Sequence, residues 1–309
     1  MKKIIILSTI LIIFLAFYFT PRYYPNSYVN KMINSAAAFF SMGISINDLI
    51  SKYSDTEKNG KIKILLVPGH EPIFGGAEYK DLLERDLNLT LSEKIKNILS
   101  KNNKFEIITS RNTNGWNPEL EKYVNYNKNE ILVWINNMKS SMSKLVNNGK
   151  INVVNAEMGH SVAPLNSAIF LYGINKWAGE NKVDIAIHLH FNDNPKYKGK
   201  PNFEGFSIYV PEKQYSNGTS SKILAKDLFD EISKIQKVST MPEENVGIIE
   251  DQELIALGRY NTSDSLSVII EYAYIYENFM QNKKLRNDFI EKSASSTARA
   301  INKFFESRI

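Results

Sequence analysis

A chain of 309 residues is long enough to bury a full hydrophobic core in one large domain, and 43% hydrophobic with 23% charged residues excludes a disordered or fibrous protein. The absence of cysteine excludes disulfides, thiolate metal ligands, a cysteine nucleophile and a lipidated N-terminal cysteine. The net charge of +5 suits contact with anionic polymers or lipid headgroups, although a solvated basic surface explains it as well, and no motif extends it to nucleic acid.

The chain opens with Lys2 and Lys3, then an uncharged apolar run from Ile4 to Phe19, with no further charge until Arg22. A spanning helix needs about 17–25 apolar residues, so residues 1–21 are expected to form an N-terminal transmembrane helix. The two lysines favour a cytoplasmic N-terminus, and Phe17, Tyr18 and Phe19 suit the far interface. A cleaved signal peptide is the alternative, but Ala16 has bulky neighbours and Ser35 to Ala38 lies far downstream. Either way the remaining chain lies outside the cytoplasm. The adopted reading is a single-pass anchor in the cell membrane. Residues 22–60 read as a juxtamembrane stalk. Pro21 and Pro25 give an irregular start, Val29 to Tyr53 has the spacing of a short helix resting on the membrane or the domain, and Ser54 to Gly60 is a polar linker.

The domain of residues 61–309 begins with Ile62 to Val67, a continuous apolar run that fits a strand buried on both faces. Pro68 and Gly69 end it. His70 then sits beyond the strand's C-terminal end, where ligand crevices form in open α/β sheets. After a Gly75-Gly76-Ala77 loop, a helix is expected over Asp81 to Ser100, carrying Glu84 and turning Leu87, Leu91, Ile95, Ile98 and Leu99 to the sheet. Phe105 to Thr109 is the second strand.

Residues 112–164 form a long insertion: helical over Pro118 to Val146, with an extra strand over Ile151 to Val154. Beside a catalytic edge it would be a lid or substrate wall, or else packing decoration. His160 lies within it, near the site or simply on the surface. A helix from Leu165 to Ala178, with Leu165, Ile169, Tyr172 and Trp177 inward, leads to a strand from Val183 to His190. A strand over Gly205 to Val210 precedes a helix over Ser221 to Gln236 whose apolar positions include Ile223 and Leu224. The strand Ser267 to Glu271 ends in a carboxylate, and Leu285 to Phe305 is the closing helix. This alternation predicts an α/β fold: a mostly parallel twisted sheet with helices on both faces.

If the strands ending in His70 and His190 are parallel neighbours, both imidazoles emerge on one edge. Zinc accepts histidine nitrogen and carboxylate oxygen and keeps a position open for water in catalytic sites, so His70, Glu84 and His190 are a candidate metal set. Glu271 is the candidate general base. His188 shares a strand face with His190, so it either competes as the ligand or orients it from behind. Glu71 and Glu78 compete with Glu84. The plainer alternative is a loop histidine beside a solvated glutamate.

Pro68-Gly69-His70, Gly76-Ala77 and Glu84 to Leu89, followed by Ser110-Arg111, resemble in order the zinc-dependent N-acetylmuramoyl-L-alanine amidases. His188 to Asn192 resembles that family's SIHAN strand end, Gly205 to Tyr209 its GFEVYY strand, Asn245 to Ile248 its RGV turn without the arginine, and Val268 to Glu271 its VLVE strand. The resemblance spans roughly residues 61–309. It departs at Val67, Glu71, Leu266 and Tyr272 to Ile275, and in the length of the insertion. It implies Zn²⁺ on His70, Glu84 and His190, with Glu271 as base. It also implies peptidoglycan as substrate, cut between the lactyl group of N-acetylmuramic acid and L-alanine. A zinc carboxypeptidase acting on peptide stems, with Arg111 or Arg259 holding a terminal carboxylate, is one alternative. A membrane-anchored wall-binding module with a decayed site is another. The sequence names no activator protein.

Overall fold

The computed structural model describes residues 44–72, 75–154, 163–193, 203–257 and 264–309. The expected membrane helix, His160 and Arg259 fall outside the described residues. Among the described residues no helix is long and apolar enough to cross a membrane.

The described chain begins with helices α1 (Ile46–Ser54) and α2 (Thr56–Asn59). The first long strand, β1 (Ile62–Pro68), is followed by a hairpin of β2 (Glu78–Tyr79) and β3 (Leu82–Leu83), then α3 (Glu84–Leu99) and β4 (Phe105–Thr109). A second hairpin, β5 (Arg111–Asn112) and β6 (Gly115–Trp116), leads to α4 (Pro118–Tyr126), α5 (Lys128–Asn147) and α6 (Leu165–Glu180). The chain closes with β7 (Ile185–Asn192), β8 (Ser207–Pro211), α7 (Gly218–Ile232), β9 (Ile248–Asp251), β10 (Leu266–Tyr274), α8 (Asn278–Gln281) and α9 (Lys283–Glu306).

The main sheet has the order β4-β1-β7-β10-β8-β9. Every neighbouring pair is parallel except β10 with β8, so β8 and β9 run against the other four. Both faces are covered. Ile62, Ile64 and Leu66 of β1 bury into a core with α3, α7 and α9, whereas Leu65 and Val67 meet α4, α5 and α6 on the other side. Full burial of each such side chain stabilises by roughly 1.5–3 kcal/mol, which is why β1 reads as an unbroken apolar run.

α1 belongs to the first of these cores. Leu49 and Tyr53 are buried in it, and Tyr53 stacks on Phe305 with ring centroids 4.5 Å apart. Lys52 reaches the buried Asp184 at 2.6 Å, and the same Asp184 oxygen accepts the Lys63 N–H at 2.7 Å.

Several local expectations are corrected. The helix expected from Asp81 begins at Glu84, because Leu82 and Leu83 pair with Glu78 and Tyr79. The polar stretch read as a linker holds the short helix α2, capped by the Asp55 side chain on the Lys58 N–H. The single helix expected over Pro118 to Val146 is two helices broken at Asn127, whose side-chain amide donates to the Tyr123 carbonyl and competes with helix continuation. Ile151 to Val154 is not a strand. The Asn152 N–H and carbonyl are satisfied by the Gln214 side chain, and Val153 and Val154 are exposed. Leu165, placed on the inner face of its helix by spacing, is exposed. β10 continues past Glu271 to Tyr274, so Glu271 lies within the strand and not at its end.

Candidate metal centre

β1 and β7 are parallel neighbours in register Pro68 with Leu189, so the turn after β1 and the end of β7 emerge side by side. The Gly69 N–H donates to the Leu189 carbonyl at 2.9 Å. His70 follows with φ 68°, a left-handed conformation costly for a residue with a Cβ. Its ring meets that of His190 edge-on, centroids 5.0 Å apart. Two glycines make room. A Cβ on Gly69 would lie 2.2 Å from the His190 ring, and one on Gly76, at φ 87°, would lie 2.7 Å from the His70 ring and 3.1 Å from a Glu84 oxygen.

Glu84 opens α3 and points back to both imidazoles. Its Oε2 is 2.8 Å from His70 Nε2 and its Oε1 is 3.0 Å from His190 Nδ1. Three further donors fix it: the Ala77 N–H at 2.8 Å, the Phe191 N–H at 3.2 Å and the Asn88 amide at 3.3 Å. Burial pushes the Glu84 carboxyl up, but hydrogen bonds from His190 and His70, and their charge, outweigh it and hold the group well below the usual carboxylate range. Burial drives His190 the other way, favouring the neutral ring; Glu84 opposes this and the charges of His70 and Arg111 reinforce it. A neutral imidazole and an ionised carboxylate are the forms that bind a metal.

One ligand atom from each of His70, Glu84 and His190 lies within 4.8 Å of the other two. Two nitrogens and one oxygen fit a three-ligand site with a position left over. Among the other candidates, Glu78 pairs with Arg85 at 3.1 Å and Glu71 hydrogen-bonds to Ser167 on α6. His188 lies two residues back, its Cα paired with Val67, buried with Nε2 lacking a hydrogen-bond partner. Burial, helped by the charge of His190, pushes its imidazole down to about 3.

Arg111 does not face a substrate. It is 2% exposed and spends its donors on the carbonyls of Pro68 at 3.1 Å, Gly69 at 2.7 Å and Arg85 at 2.8 Å, tying the β1 turn to α3. Burial lowers even this guanidinium to about 10, against the charge of Asp86.

Glu271 stands in register with His190 on one side and Ser207 on the other. Its Oε2 is enclosed with no hydrogen-bond partner. Burial, and then the charges of Glu84 and Glu244, push its carboxyl well above the usual range, suiting a group that takes up a proton. The histidines and Glu271 line a cavity of about 550 Å³ whose other wall is apolar, including Trp116, Phe170 and Ile174. Trp116 and Phe170 stack at 4.7 Å, so the insertion contributes to that wall. Sequence reasoning missed Glu244, which also lines the cavity and lies in a loop with no periodic signal.

The α/β sheet, with His70, Glu84 and His190 converging at one edge beside the carboxylate of Glu271, defines the class: an α/β protein built around a candidate metal centre. The profile of the Amidase_3 family, N-acetylmuramoyl-L-alanine amidase, matches residues 64–303, and the chain belongs to that family of peptidoglycan-cleaving enzymes. The fold is similar to an N-acetylmuramoyl-L-alanine amidase from Clostridium difficile 630, with TM-score 0.50 and 17% identity over 81% of this chain and 99% of that one. It is also similar to the CwlD amidase of Clostridioides difficile, solved with the GerS lipoprotein, at TM-score 0.51 and 17% identity over 80% and 100%. Ami1 of Mycobacterium smegmatis gives TM-score 0.51 and 13% identity over 80% and 97%. No curated protein sequence matches.

Proposed function

We propose that this amidase works with zinc held by His70, Glu84 and His190, with Glu271 as general base. The observation that carries the reading is Glu84 bridging the two histidines at 2.8 and 3.0 Å, with Glu271 one strand away in register with His190. Two imidazole nitrogens and a carboxylate are a donor set zinc accepts. When bound, the ion supplies Lewis-acid activation of water and of the scissile carbonyl.

The protein's own groups do the rest. The Ala77 and Phe191 N–H groups and Asn88 hold Glu84 in place before any ligand arrives. The buried carboxyl of Glu271 takes the proton from the attacking water and passes it to the leaving L-alanine amine. Trp116 and Phe170 shield the cavity from bulk water and give the sugar or lactyl portion an apolar wall. The carboxypeptidase alternative loses one proposed anchor, since Arg111 is committed to three main-chain carbonyls. We further place the catalytic domain outside the cytoplasm, tethered through the apolar run Ile4 to Phe19.

The test is digestion of purified peptidoglycan with the full chain, alongside elemental analysis. The expected result is about one zinc per chain, free muramoyl lactyl groups and intact stem peptides. Release of terminal amino acids from the stems would refute the amide assignment. Full activity in Glu271→Gln would refute the base.

A further inference from the structure

The geometry points to Glu244 as a positioning residue for Glu271, acting through a buried clamp across the three strands around the catalytic carboxylate. The inference rests on the proposed role of Glu271. Glu244 is 1% exposed and lies in the loop before β9. Its carboxylate accepts from the Asn192 amide on β7 at 2.8 Å, the Tyr209 hydroxyl on β8 at 2.7 Å and the Tyr274 hydroxyl on β10 at 2.8 Å. These strands are adjacent in the order β7-β10-β8, and Glu271 sits on the middle one.

β10 needs such a clamp because it is irregular where Glu271 lies. Glu271 pairs with His190, but the next pair on that side is Tyr274 with Asn192: three residues on β10 answer two on β7. The extra residue reverses the side-chain alternation. Tyr272 and Ala273 both bury in the core beneath the sheet, and Tyr274 thereby returns to the face of Glu271. Glu244 binds both members of the pair that resumes the ladder, Asn192 and Tyr274. Glu271 has no hydrogen bond holding Oε2. Its placement rests on the strand that carries it, paired with His190 and Ser207, and the clamp fixes that strand where the ladder resumes at Tyr274 and Asn192. A buried carboxylate satisfied by three neutral donors is an expensive construction for mere packing, and this one borders the substrate cavity.

The experiment measures kcat and KM on peptidoglycan fragments, melting temperature and zinc per chain, for the full-length native protein, Glu244→Gln, Tyr274→Phe and the double variant. Glu244→Gln keeps the shape but turns an N–H₂ toward one donor; Tyr274→Phe removes a single bond. Misplacing a catalytic group by about 1 Å costs on the order of 100-fold. The expected result is kcat down about 10–100-fold per folded, zinc-loaded molecule, with KM changed less than about threefold. The double variant should be no worse than the poorer single one, because both break one unit. Rates within about twofold of native in both singles would overturn the inference. So would a loss that vanishes on correction for folded, metal-loaded protein, since that is a structural effect alone. Glu271→Gln, run alongside, separates the two levels: if it is fully active, the parent assignment falls and this one with it.

Discussion

Acid should destabilise this protein through His188, and the size of the effect follows from its surroundings. The ring is 2% exposed with Nε2 unpaired, and burial holds its pKa at about 3, against about 6.5 in an unfolded chain. With a folded-state pKa below the unfolded one, the unfolded chain binds the proton first. There is no penalty above pH 6.5, and stability falls as pH drops from there toward about 3. At pH 5 the unfolded chain gains about 2 kcal/mol from this one group, and at pH 4 about 3 kcal/mol. The assay is urea unfolding of metal-free protein at pH 7 and pH 5, for the native chain and His188→Gln. The native protein should lose about 2 kcal/mol more than the variant over that interval. Contributions from groups that do not interact with His188 are common to both and cancel in the difference. Equal losses, within about 0.5 kcal/mol, would refute the reasoning and mean that the ring is reached by water or by a partner.

Other outcomes follow from the same geometry. Glu84→Ala should abolish metal binding by elemental analysis, whereas Glu71→Ala, whose carboxylate is engaged by Ser167, should keep near-native stoichiometry. Gly69→Ala drives a methyl to 2.2 Å from the His190 ring, so activity should fall on the order of 100-fold with metal affinity reduced. A fragment starting at Lys61 lacks Leu49 and Tyr53, both buried in the main core, and should be less stable than one starting at Ile44 by about 3–5 kcal/mol in urea titration. Arg111→Met should lower stability by about 3–5 kcal/mol without altering product identity, because it removes three buried hydrogen bonds that tie the β1 turn to α3 and no substrate contact.

Much of the site was legible in the sequence because it is written in local terms. An apolar run, a Pro-Gly stop and a histidine place His70 just beyond a strand end, whereas His190 and Glu271 were legible as strand residues although their strands run on to Asn192 and Tyr274. Parallel pairing then carries distant strand ends to one edge. The helix from Glu84 was legible by its spacing, although its first turn was not, since a two-residue hairpin claims Leu82 and Leu83.

What the tertiary structure alone decided are the long-range pairings. Spacing could not choose between His188 and His190 on one strand face. In the fold Glu84 arrives from another element and meets the His190 ring, whereas the His188 Nε2 is buried without a hydrogen-bond partner. Nor could spacing show that Arg111 turns inward, that the insertion brings Trp116 to Phe170, or that Glu244 ties three strands together. The physical reason is common to these cases. Backbone periodicity is fixed by neighbours a few residues away, whereas the partner of a buried charge is whichever polar group the folded chain carries within about 3 Å of it.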